Sequence, residues 1–224
     1  MVYKNTNVKI GFMGHSVPYG IGTEITDALP NQGRRGYPEI VKTLVTTRAC
    51  FDFNKYEFCN LAINGGTTKD VLDQYVAKPI DFDILFIDSG TNELPRSKQT
   101  KDFAIMSIEE RTKVWNSLLA HAKKHATNIF VLELLPFVIS EAKKKLSQCG
   151  LTISQKDLLQ YNKTLKQMSE TNGVEFLKRF NQFQNTMKQQ DIMADAFHPN
   201  CEGHKLLADM IYYDCLNDGL LKRH

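Results

Sequence analysis

Asp83-Ile84-Leu85-Phe86-Ile87-Asp88 decides the fold class, because it is short, apolar between its two terminal acids, and without alternation. Such a run fits a strand covered on both faces, the habit of a parallel sheet with helices packed above and below it. Ser89-Gly90 then opens a loop. Toward the N-terminus, a helix over Thr68–Tyr75 with Thr68 as its cap follows the turn Asn64-Gly65-Gly66. Tyr56–Ile63 reads as a strand, and Tyr37–Ala49 as a helix carrying Ile40, Val41, Leu44 and Val45 at helical spacing. A long loop, Gly14–Gly36, separates that helix from a first strand, Val8–Met13. Toward the C-terminus, a long helix from about Ile105 to Ala126 precedes a buried strand, Asn128–Leu134, stopped by Pro136. A helix over Ser154–Thr171, a strand over Val174–Leu177 and a closing helix over Asn200–Leu216 complete the chain. Strands and helices alternate, which predicts an α/β fold with parallel strands joined by crossovers and helices on both faces of one sheet.

Composition narrows the function. The 224 residues fit one domain, 1–224, and 42% hydrophobic with 24% charged residues is ordinary for a globular protein. Twenty-eight basic against 25 acidic residues leave a formal charge of only +3. Arg34-Arg35, Lys123-Lys124 and Lys143-Lys144-Lys145 lie far apart without interleaved aromatic residues, so no nucleic-acid partner is expected and these runs read as solvated faces. Five cysteines form no C-x-x-C pair, which suggests neither a zinc site nor a disulfide framework. No basic, apolar and small-residue leader precedes the first strand, and no apolar run has the length of a membrane span. The expectation is a soluble, cytoplasmic, reduced protein.

Ligands of open parallel sheets bind outside the carboxyl ends of the strands. Four polar or glycine-rich clusters are predicted there: Gly14-His15-Ser16, Asn64-Gly65-Gly66, Gly90-Thr91-Asn92 and Asp195-Ala196-Phe197-His198. Together they hold the parts of an acyl-transfer site. A serine hydroxyl needs a base at the moment of attack, and a histidine held by a carboxylate supplies one. Ser16, His198 and Asp195 can take these parts, the spacing D-x-x-H allowing acid and imidazole to share one turn. The Ser16 and Gly65 backbone N–H groups and the Asn92 amide can serve the developing oxyanion. Taken singly, each has a commoner structural reading: Ser16 as a cap, Gly65 as a turn residue, Asn92 as a loop bridge, His198 as a helix cap. His121 and His125 share a helix face but lack a third ligand beside solvated lysines, His204 reads as structural or exposed, and Trp115 reads as core or interface rather than a sugar platform.

Their order along the chain gives a resemblance. G-H-S-V-P-Y-G-I-G (Gly14–Gly22) resembles the first block, G-D-S-x-x-x-G-x-G, of the SGNH (GDSL-like) hydrolases, and N-L-A-I-N-G-G-T-T (Asn60–Thr68) resembles their second. G-T-N-E (Gly90–Glu93) is similar to their G-x-N-D, and D-A-F-H-P-N (Asp195–Asn200) to their D-x-x-H-P. The resemblance implies a flavodoxin-like α/β/α sandwich in three layers. It implies a catalytic triad of Ser16, Asp195 and His198 and an oxyanion hole of Ser16, Gly65 and Asn92, with no metal or cofactor. It also implies action on esters, commonly of acyl chains or acetylated sugars. His15 replaces the family's acid before the nucleophile and Glu93 the acid after the third-block asparagine, neither removing a catalytic group; His15 is given a turn-stabilising role, with pH tuning of the site as the alternative.

The function expected is that of a serine esterase acting on a small acyl ester, an O-acetylated saccharide being favoured. Two alternatives stand beside it: an O-acyltransferase with a sugar acceptor, and a non-catalytic carbohydrate-binding protein on the same fold. Loop Val17–Tyr37, with Tyr19, Glu24, Asp27, Arg34 and Arg35, and segment Leu94–Phe103 are the expected specificity walls, their polarity suiting a sugar.

Overall fold

A computed structural model describes residues 7–23, 35–48 and 55–220. Five parallel strands form the central sheet in the order β2-β1-β3-β5-β7. They are β1 (Asn7–Gly14), β2 (Lys55–Asn60), β3 (Phe82–Asp88), β5 (Ala126–Leu132) and β7 (Glu175–Leu177). β1 pairs with both β2 and β3, so the chain first builds to one side of β1 and then to the other. At such a reversal the connections leave neighbouring strand ends in opposite directions and a crevice is left between them, the place where open α/β sheets bind ligands.

β3 shows how an unbroken apolar strand serves two cores. Successive side chains point to opposite faces, so Ile84 and Phe86 enter one core and Leu85 and Ile87 the other. The Ile84 face packs with Val41 of α2 (Tyr37–Arg48), Phe183 of α7 (Phe180–Met187), and Leu207 and Ile211 of α8 (Cys201–Ile211). Across three strands on this face, Phe12, Phe86 and Phe130 stack with ring centroids 5.2 and 5.1 Å apart. The Leu85 face packs with Val71 of α3 (Thr68–Ala77), Trp115 and Leu119 of α4 (Ile108–His125), and Leu165 of α6 (Gln155–Asn172). Each layer thus covers one face, giving the three-layer α/β/α arrangement expected.

Several boundaries differ from the sequence expectation. Thr67, not Thr68, caps α3: its hydroxyl accepts from the Asp70 N–H, and the Asp70 carboxylate accepts from the Thr67 N–H, 2.8 Å away. The position of Asp70 decides between the two threonines, because this reciprocal box needs an acid three residues after the cap. Ser107 and Glu110 form the same box, so α4 begins at Ile108 rather than near Ile105. Beyond Ile211 the closing helix widens into a π-helical stretch, Tyr212–Leu220. Further elements were not expected. β4 (Arg96–Ser97) and β6 (Leu151–Thr152) form a separate antiparallel pair, with α5 (Ile139–Ser147) just before β6. A two-residue strand has no period to display. Among the described residues, no helix is long and apolar enough to cross a membrane.

Candidate active site

The chain leaves β1 at Gly14 and turns at once into a single helical turn, α1 (Ser16–Tyr19). Ser16 is its first residue and is 7% exposed. A first-turn N–H has no carbonyl partner within its own helix, so the Ser16 amide is available to an anion at this point. Gly22, a few residues on, has φ +96°, and a Cβ there would lie 2.0 Å from the Pro199 carbonyl oxygen. This close approach seats the Ser16 turn against the loop that carries His198.

Asp195 and His198 share that loop. The Asp195 Oδ1 accepts from the N–H groups of Phe197 (2.7 Å) and His198 (2.9 Å), which winds the turn around the carboxylate. The His198 Nδ1 lies 2.9 and 3.0 Å from the two carboxylate oxygens, and its Nε2 lies 2.9 Å from the Ser16 Oγ. With Nδ1–H donating to the acid, the bare Nε2 is left to accept the serine proton. Burial raises the Asp195 pKa, but the Phe197 N–H, the His198 imidazole and the His198 N–H outweigh it and hold the acid down at about 2. It therefore stays ionised at neutral pH. Pro199 then leads to Asn200, whose side chain caps α8 by accepting from the Glu202 and Gly203 N–H groups.

Gly65 and Asn92 complete the group. Gly65 has φ +75°, a conformation that favours glycine in this turn. The Asn92 side-chain amide donates to the Gly66 carbonyl at 2.8 Å, which ties the third cluster to the second and leaves its other N–H unspent. Ser16, Gly65, Asn92 and His198 line one cavity of about 320 Å³. His15, Val17 and Thr91 lie beside them, and Pro95, Ile105, Leu146, Leu151, Ile153 and Phe197 make the other walls. All five residues singled out from sequence are thus brought together.

Residues 12–206 match the GDSL-like lipase/acylhydrolase family. The chain belongs to that family. It is an ester hydrolase of the SGNH type, and the match spans all four sequence blocks. Among curated proteins, an uncharacterised protein, YpmR, of Bacillus subtilis (strain 168) is 23% identical over 223 residues, covering 93% of this chain and 84% of the relative. Among solved structures, a lipase/acylhydrolase from Enterococcus faecalis superposes with a TM-score of 0.68 at 14% identity, covering 92% of this chain and 94% of that one. An acetyl xylan esterase variant from Geobacillus stearothermophilus does so with a TM-score of 0.68 at 20% identity, covering 94% and 95%. At such identities the structures establish the shared fold.

The two departures of this SGNH hydrolase from the family blocks have visible reasons. Glu93 is fully buried: its Oε1 accepts from the Thr68 N–H at the start of α3, and its Oε2 from the Tyr161 hydroxyl at 2.9 Å. Trp115 Nε1–H donates to the same hydroxyl at 2.8 Å. His15 is 2% exposed and caps α1, its Nδ1 accepting from the Val17 N–H at 3.3 Å. Burial, with Arg179 and His198 nearby, lowers its pKa to about 4 against the pull of Asp88.

Beneath the site lies a network that the sequence reading passed over. Asp88, the acid ending β3, takes the Arg179 Nη2 at 2.5 Å and the Tyr37 hydroxyl at 3.1 Å, with both members of the ion pair 1% exposed. An acid closing an otherwise apolar strand was the available signal. His204 is fully buried, accepting from the Tyr37 N–H and donating to the Ile21 carbonyl, each at 3.1 Å. His121 and His125 stand 4.8 Å apart between ring centroids, His125 meeting Asp81 at 2.8 Å. No group of three metal-ligating side chains is found among the described residues.

The expected polar walls are only partly seen. Glu24, Asp27 and Arg34 lie outside the described residues, and Tyr19 and Arg35 are exposed. Segment Leu94–Phe103 gives the cavity Pro95, while Arg96 turns to Asp157 at 2.7 Å. The guanidinium carbons of Arg96 and Arg111 lie 3.7 and 3.6 Å from the Phe103 ring centroid, necessarily on opposite faces. The polar residues of this segment thus brace it, and the wall it presents is apolar.

Proposed function

We propose that the chain is a serine esterase working through an acyl-enzyme on Ser16. His198 takes the Ser16 proton as the hydroxyl attacks the ester carbonyl, and the Ser16 N–H, Gly65 N–H and Asn92 amide receive the oxyanion. The protonated His198, held by Asp195, then gives its proton to the departing alcohol. Water enters, loses a proton to His198, attacks the acyl carbon, and releases the acid and free Ser16. The observation that carries this reading is the continuous path from Asp195 through both His198 nitrogens to Ser16 Oγ. We also take residues 1–224 as one hydrolase domain, supported by the α8 packing on α2, which joins the two ends of the chain.

The substrate proposed is a small acyl ester, with acetyl on a saccharide the favoured case. The acetyl xylan esterase of the same fold supports the acetylated sugar. The apolar wall of Leu146, Leu151, Ile153 and Phe197 supports a short hydrocarbon acyl group beside the nucleophile. The test is hydrolysis of aryl esters by the wild-type protein and Ser16→Ala. Acetate and butyrate should be turned over by the wild type, dodecanoate poorly, and none by the variant above the uncatalysed rate. Equal rates for the two proteins would end the hydrolase reading. With a free sugar present, carboxylic acid is the expected product, and acylated sugar would favour transfer instead.

A further inference from the structure

We infer that His15 and Thr91 form a positioning bridge that fixes the nucleophile turn relative to the oxyanion loop. The inference rests on the roles proposed for Ser16 and Asn92. The His15 ring, itself part of the cavity wall, touches both sides of the site: Nδ1 accepts from Val17, one residue after Ser16, and Nε2 lies 3.1 Å from the Oγ1 of Thr91, one residue before Asn92. Because Nδ1 accepts from an amide, the proton of the neutral ring is on Nε2 and is donated to Thr91. The bond to Val17 is buried and the bond to Thr91 is part-buried at the cavity wall, so the first is costly to leave unmade and the second adds a tie on the cavity side.

The surroundings favour this neutral ring over the family's aspartate. The His15 Nε2 is 3.6 Å from the Asp88 Oδ1, and Asp88 already has its cation in Arg179, with the Tyr37 hydroxyl on its other oxygen. A carboxylate at position 15 would face Asp88 as a second buried negative charge. A protonated imidazole would lose its Nδ1 acceptor and set N–H against the Val17 N–H. Only the neutral histidine satisfies the cap, the threonine and the charge balance together. A shift of the order of 1 Å between nucleophile and oxyanion donors is enough to cost about 100-fold in rate, which gives the bridge its leverage.

The test uses four variants with an aryl acetate. Thr91→Val removes the hydroxyl and keeps the shape, Thr91→Ser restores it, and His15→Asn keeps a cap acceptor for Val17 but is too short for Thr91. The fourth combines His15→Asn with Thr91→Val. Thr91→Val should lose at least about tenfold in kcat with KM little changed, Thr91→Ser should recover most of it, and the double variant should lose no more than the worse single one. A folded Thr91→Val with wild-type kcat, or losses that multiply in the double variant, would overturn the bridge. An active Ser16→Ala protein would instead overturn the parent reading and this inference with it.

Discussion

Asp195 is half in solvent, its side chain 40% exposed, and still carries a low pKa because two backbone amides and an imidazole point at it. Asp195→Asn should therefore keep the turn but remove the charge that steadies the protonated His198. A fall in kcat of roughly 100- to 10,000-fold is expected from triads of this kind, toward the lower end here because water partly screens the carboxylate. Stopped-flow or steady-state assays with an activated ester measure it, and a loss under tenfold would remove Asp195 from the mechanism. That Ser16, Gly65, Asn92, Asp195 and His198 meet at one place was legible in sequence because four blocks stand in the family's order at strand ends, while the roles given to these residues are proposals. Asp88, Arg179, Tyr37 and Thr91 were not, since a buried polar side chain looks like an exposed one until its neighbours are known. His204 shows the same limit: nothing local told burial from exposure.

Among the elements, the strands were legible where both faces are buried and the helices where apolar residues recur, but not the cavity's outer wall. β4 and β6 owe their existence to each other, and α5 buries only Ala142 among otherwise partly or fully exposed residues. Such pieces are stabilised by tertiary contacts with no trace in local pattern. The G-x-G of the first block gains a physical account in the same way. Gly22→Ala forces a Cβ into the Pro199 carbonyl at a backbone angle unsuited to alanine, so the nucleophile turn must part from the His198 loop. A lower melting temperature and a kcat loss larger than that of a Gly173→Ala control are expected, because Gly173 also has a positive φ (+64°) but a Cβ there meets nothing within 4 Å and it lies outside the cavity lining. Calorimetry and esterase assay together decide the point, and an unaltered Gly22→Ala enzyme would refute it.

For the molecule as a whole, the buried histidines couple stability to pH. His15 and His204 each have a pKa lowered from 6.5 to about 4, burial being the main cause. Between those values the unfolded chain binds more protons than the folded one, so stability declines as pH falls from about 6.5 to about 4. Asp195 acts in the same direction lower down: its contribution is complete above its ordinary value of 3.8 and is lost as pH falls through about 2. Melting temperatures should drop steadily between pH 7 and pH 4.5, and a flat profile would contradict the burial of both rings. The sheet order sets a different consequence. Ser16 and His198 stand 182 positions apart and meet only when α8 has docked on the sheet. A chain ending before that helix is therefore expected to hydrolyse no ester, and on refolding activity is expected to return only as the His198 loop seats beside Ser16. The return of activity would then time the docking of the chain's last helix.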